Sequence, residues 1–128
     1  MRDPPYKRTY LAVDGGLSDN PRPSMYDAVY SALLANKAGS QPTCEYRVSG
    51  KHCETDLLIA SVVLPEAKIG DLLAVQTTGA YNYSMASNYN RFTRPAVVLV
   101  KDGQADLIVR RETLDDLVKC DMIPDRLK

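Results

Sequence analysis

Most of the apolar residues of this chain fall in short, β-branched runs closed off by turn residues, at 10–13, 46–48, 57–64, 72–75, 96–100 and 107–109. Val, Ile and Tyr in runs of this kind suit a pleated, half-buried surface, and the rhythm predicts a mostly antiparallel β domain. Lys101-Asp102-Gly103-Gln104 sits between the last two runs. Asp-Gly supplies the positive φ values of a tight turn, so a hairpin is expected over 96–110. Helices are the minority. Thr113 with Asp116 three residues later forms a capping-box pattern ahead of Leu114, Leu117 and Val118, predicting a short helix that ends before Pro124. The stretch 24–37 reads two ways, because Ser24 and Asp27 resemble a capping box and Tyr26, Val29, Tyr30 and Leu33 recur at helical spacing. Residues 79–90 are rich in Tyr, Asn, Ser and Ala, and small side chains there let a backbone approach something closely. No repeat or low-complexity tract marks an internal boundary, so 1–128 is expected to be a single β domain.

Composition narrows the classes of function. The chain has 128 residues, 45% hydrophobic, with 16 Lys+Arg against 16 Asp+Glu. A domain near this length buries about two-thirds of its unfolded surface, enough for a core without disulfides. Zero net charge and no basic stripe argue against nucleic acid or an anionic membrane as partner. Nothing approaches the roughly 20 apolar residues of a membrane span, and Met1-Arg2-Asp3-Pro4-Pro5 carries no apolar signal segment. Three cysteines without a CxxC spacing fit a reducing compartment, and a cytoplasmic location is expected. Asn82-Tyr83-Ser84 matches the glycosylation sequon but reads as coincidence in such a chain.

Chemistry has few places to reside. His52 adjoins Cys53, but neighbours on a strand point to opposite faces, which speaks against a catalytic dyad. One His and three scattered Cys make no zinc site, so no metal is expected. Gly50-Lys51 lacks the rest of a phosphate loop. Three polar clusters remain: Asp19-Asn20-Pro21-Arg22-Pro23 with Tyr26, Gly50-Lys51-His52-Cys53-Glu54-Thr55-Asp56, and Gly79-Ala80-Tyr81-Asn82-Tyr83. Arg22 is held between two prolines that restrict its backbone, and its planar fork suits a carboxylate or phosphate. On pattern alone Arg22 reads more readily as a solvated loop arginine, and Cys53 could be a small buried residue and Tyr81 a core tyrosine.

At these clusters the chain resembles a known family. Val13-Asp14-Gly15-Gly16, Asp19 to Pro23 with Tyr26, Gly50-Lys51 with Cys53-Glu54, Leu64-Pro65, Gly70-Asp71, the block from Gly79 to Asn90 and Arg94-Pro95 are similar, in order and spacing, to the C-terminal part of the diaminopimelate decarboxylases. These are fold-type III, alanine-racemase-like enzymes dependent on pyridoxal phosphate. The resemblance implies a C-terminal antiparallel β-barrel or sandwich-like domain with one or two short helices, and decarboxylation of meso-diaminopimelate to L-lysine and carbon dioxide. It implies that Cys53 donates the proton to the carbanion, as a thiol with a reference pKa of about 8.5 can at neutral pH. Arg22 and Tyr26 would hold a substrate carboxylate, Glu54 would meet the distal ammonium, and Tyr81 would serve substrate and cofactor. The Cys53-Glu54 pair would reach the active site of the partner subunit in a homodimer. The family fold also favours a short helix near 24–27 leading into a strand.

Two departures stand out. Many members carry one more residue between the acid after the cysteine and the next aspartate, where Glu54-Thr55-Asp56 is tighter. The family's cofactor-binding barrel and its lysine have no counterpart in 1–128, and neither Lys7 nor Lys37 sits in a similar context. The chain is therefore expected to contribute site residues without turnover of its own. A decarboxylase of ornithine, arginine or carboxynorspermidine, or a non-catalytic β-barrel dimerisation module, are the alternatives; a distal carboxylate on the substrate is what gives Arg22 its sense.

Overall fold

A computed structural model describes residues 8–128, so Lys7 lies outside the described residues. The fold is mainly β with a few short helices, and among the described residues the strands form three separate small sheets, with no closed barrel. Contacts divide the chain after Ala86 into two compact units.

The first unit is organised by the antiparallel pair β3 (Cys44–Ser49) and β4 (Leu57–Leu64), the latter spanning the residues of the predicted run. β1 (Tyr10–Ala12) adds to β3 in parallel, an exception to the expected antiparallel pattern. β2 (Ala32–Leu34) pairs antiparallel with β5 (Leu73–Val75). Two apolar clusters fill the interior: Leu34, Tyr46 and Leu64 in one, and Val48, Leu58 and Ile59 in the other. Leu58 and Ile59 are consecutive yet both buried, which strict alternation forbids. The β3–β4 ladder shifts register on either side of Val48, the partner of Ile59, and a bulge re-aims side chains in this way. Tyr46 keeps its phenol satisfied by accepting the Ala67 N–H at 3.0 Å.

The double reading of 24–37 resolves into a short helix followed by a strand. α1 (Arg22–Tyr26) starts two residues before Ser24, with Pro21 at the N-cap and no side-chain cap. The Ser24–Asp27 capping box does not form; Asp27 instead closes the helix in the left-handed region, with φ of 52°. Val29 is then 95% exposed while Leu34 is buried, an arrangement that one amphipathic helix does not produce.

The second unit, Ser87–Lys128, contains the expected hairpin of β6 (Val97–Lys101) and β7 (Gln104–Val109). Asp102 and Gly103 both take positive φ, 50° and 75°, as a two-residue turn matching strand twist requires. The predicted C-terminal helix is α3 (Leu114–Val118), and its capping box is complete: Thr113 Oγ1 accepts the Asp116 N–H while the Asp116 carboxylate accepts the Thr113 N–H. No helix among the described residues is long and apolar enough to cross a membrane.

Candidate active site

Arg22, Tyr26 and Tyr81 come together. Arg22 opens α1, where the proline on either side limits its backbone, and Asn20 Oδ1 accepts its N–H at 3.3 Å. Tyr26, one helical turn on, places its ring centroid 5.5 Å from the Arg22 guanidinium carbon. Tyr81, at the N-cap of α2 (Asn82–Met85), places its ring 5.2 Å away. Both separations lie in cation–π range. The two phenols remain open to solvent, with Tyr26 59% and Tyr81 63% exposed. Among the described residues no carboxylate stands in ion-pair reach of Arg22, although the chain carries as many acids as bases.

This cluster borders a cavity of about 390 Å³, lined by Arg22 and Tyr81 together with Tyr30, Gln76, Thr77 and Asn82. Asn82 is buried, which suits a lining role and not a glycan acceptor. Ser84 Oγ donates to the Tyr81 carbonyl at 2.8 Å and fixes the start of α2. Asn82 belongs to the third polar cluster, whereas the lining by Tyr30 and Gln76 is invisible in sequence, because separate segments supply it. A Cβ at Gly79, which opens that cluster, would meet nothing within 4 Å.

Cys53 and Glu54 occupy a different place, the turn over 50–56 that joins β3 to β4, and both are exposed. Cys53 is therefore not the small buried residue that pattern alone allowed. His52 beside it faces inward, with its side chain fully buried. The two diverge as expected, but within a tight turn and not along a strand. Beneath the turn lies a residue that the sequence places in a polar cluster without assigning it a role. Asp56, also buried, accepts from His52 Nδ1 at 2.6 Å and from the His52 N–H at 3.1 Å through Oδ2, and from the Leu17 N–H at 2.9 Å through Oδ1. A carboxylate only accepts, so Nδ1 carries the proton of that bond.

Two lysine amines of the first unit are committed elsewhere. Lys37 Nζ donates to Asp71 and, at 2.9 Å, to the Glu66 carbonyl, and Lys51 Nζ stands 3.7 Å from Asp19. The Lys37 amine, with Asn36 and the Lys68 N–H, lowers the Asp71 carboxyl to about 2.

Residues 2–79 match the model of the pyridoxal-dependent decarboxylase C-terminal sheet domain. The chain belongs to that family. The family expected from the motifs is thus the family found. Among relatives of this decarboxylase domain, diaminopimelate decarboxylase of Synechocystis sp. is 56% identical over 124 residues, a match that covers 96% of this chain and 26% of the relative. That of Bacillus subtilis is 53% identical over 123 residues, covering 95% and 28%. The solved structure of diaminopimelate decarboxylase from M. jannaschii in co-complex with L-lysine superimposes with a TM-score of 0.82 at 32% identity, over 93% of this chain and 27% of that one. The chain thus spans about a quarter of the length of the curated relatives it matches.

Proposed function

We propose that this chain is the carboxylate-reading and proton-delivering part of a diaminopimelate decarboxylase, which converts meso-diaminopimelate to L-lysine and carbon dioxide. The observation that carries the reading is Arg22, set against two phenol rings at the rim of a cavity and paired with no carboxylate among the described residues. A guanidinium in that position is matched by a substrate carboxylate, which it can grip through two parallel charge-assisted hydrogen bonds. Ornithine and the other diamine-ended substrates bring no distal carboxylate to such a group.

The lining also suits an anionic cofactor, since Arg22 and the Tyr81 hydroxyl are hydrogen-bond donors. Pyridoxal phosphate, when bound, supplies the electron sink that stabilises the carbanion left by carbon dioxide. The residues of this chain then have distinct tasks. Arg22 and Tyr26 hold the substrate carboxylate, and Tyr81 lies against both substrate and cofactor. Glu54 meets the distal ammonium. The Cys53 thiol carries the proton that takes the place of the departing carboxyl group on the substrate carbon.

Cys53 and Glu54 serve the site of a second copy, so the working unit is a homodimer in the cytoplasm. Residues 1–128 act as one C-terminal domain whose sheets complete a barrel or sandwich-like layer, while the lysine that carries the cofactor belongs to a barrel outside 1–128. Arg22→Ala in the full-length enzyme tests the reading: kcat/KM for meso-diaminopimelate should fall about 100-fold, the loss of roughly 3 kcal/mol from a charged hydrogen-bonded pair. An unchanged value, or better use of ornithine or arginine than of diaminopimelate by the parent enzyme, would overturn it.

A further inference from the structure

The described residues of the first unit contain a buried titratable cluster that the proposed chemistry does not use, the His52–Asp56 pair under the Cys53 turn. The glycines around it show that the fold makes room for it. A Cβ on Gly16 would come to 2.5 Å from Asp56 Oδ2, and one on Gly50 would run into the same oxygen and stand 2.6 Å from Gly16 Cα. Real Cβ atoms do not tolerate such approaches, so both glycines leave space that the carboxylate and imidazole occupy.

From this slot Asp56 fastens two segments at once. Through its carboxylate it takes two N–H groups of His52 and the N–H of Leu17, and its carbonyl accepts the Gly50 N–H at 2.7 Å, closing the turn on itself. Lys51 N–H to Gly15 O at 3.0 Å adds a second tie between the same segments. The segment so held leads directly to Arg22. The Gly16 carbonyl accepts the N–H groups of Asp19 and Asn20, and Asn20 accepts that of Arg22. Directional hydrogen bonds hold a turn to a narrow range of poses, whereas apolar contacts let it slide. A displacement of about 1 Å at a reacting group can cost about 100-fold in rate.

We infer that Asp56, with His52, is a positioning residue that sets the pose of the Cys53–Glu54 turn against the segment bearing Arg22. The inference rests on the role proposed above for Cys53. An amide at 56 has one acceptor oxygen where the carboxylate has two, so its NH2 must face either the His52 donors or the Leu17 N–H, and Asp56→Asn breaks the clamp at nearly constant volume. In the full-length dimeric enzyme Asp56→Asn should lower kcat about 100-fold with KM within about threefold. The rate of Cys53 alkylation by iodoacetamide, followed by peptide mass spectrometry, should rise about threefold or more as the turn loosens. His52→Asn keeps an N–H donor at the place of Nδ1 and should retain most of the activity, while His52→Leu should behave like Asp56→Asn. If Asp56→Asn does not fold, that His52 pair decides the matter.

Reduced thermal stability with unchanged kcat and alkylation rate, or equal damage from both His52 variants, would overturn the positioning role. Cys53→Ala separates the two layers. If it abolishes turnover while Asp56→Asn leaves turnover and alkylation intact, only the positioning inference fails. If Cys53→Ala is fully active, the proposed chemistry of the turn fails, and the alkylation rate still decides whether Asp56 holds it.

Discussion

Arg22 shows how far one side chain can be read from its neighbours. Its flanking prolines signalled a restricted backbone, and in the fold they start α1 and aim the guanidinium at Tyr26 and Tyr81. The contact with Tyr81 spans 59 positions and no local pattern encodes it, although likeness to the decarboxylases gave both residues to one substrate. The inward turn of Asp56, which the sequence places only within a polar cluster, escaped notice for the same physical reason. Its partner Leu17 is 39 residues away, and an irregular turn has no periodicity to betray an inward-facing acid. His52 drew notice as a base for Cys53, a role its inward, fully buried side chain does not serve. One expectation belongs to this scale. Arg22→Lys keeps the charge but replaces a planar fork with a point charge that stacks less well on rings, so it should not rescue Arg22→Ala fully. Assayed in the full-length enzyme with meso-diaminopimelate, kcat/KM should lie about tenfold below that of the parent, and equality with the parent would show that charge alone suffices.

Among the elements, those defined by local chemistry were the legible ones. The β6–β7 hairpin followed from Asp102-Gly103, and α3 from Thr113 and Asp116, because turn and cap geometry are settled within four residues. The stretch 24–37 was not settled locally. Its helical spacing loses to the pairing of β2 with β5, where Leu34 faces Leu73, a non-local ladder that overrides propensity. The same elements set a dependence on pH. Asp116 is held well below the ordinary carboxylate range by the Arg110 side chain and then by Thr113. Glu112 is lowered by the Arg94 N–H and by Asn88 and Arg94 side chains, Asp121 by Arg91, and Asp71 sits at about 2. A carboxyl whose folded pKa is depressed stabilises the fold above its unfolded value and loses that contribution as pH falls toward the folded one. Thermal melts followed by circular dichroism should be nearly flat from pH 7 to about 5 and fall progressively from about pH 4 to 2. High salt should shrink the difference, because these pairs all reach solvent. A melting temperature unchanged between pH 7 and pH 3 would contradict the assignment.

At the scale of the molecule, the mainly β class was legible from the spacing of apolar runs, while the separation into three sheets was not, since sheet closure depends on pairings far apart in sequence. The apolar surface was foreseeable too. In the second unit Val98, Leu99, Val100, Leu107 and Ile108 are all exposed, so the hairpin shows apolar side chains on both faces, and Ile69 and Leu72 are exposed in the first. A two-stranded ribbon is marginal without cover, and uncovered patches promote association. Sedimentation velocity of the 128-residue chain should therefore show concentration-dependent oligomers, and a monodisperse monomer at all concentrations would count against this. The parked guanidinium has a last consequence, in entropy. An arginine that swings freely before binding loses rotamer freedom when a ligand arrives, at roughly 0.5–1.5 kcal/mol per immobilised side chain. With Arg22 already resting on two aromatic faces, that loss falls in folding, and an incoming anion meets a fork whose direction was chosen in advance.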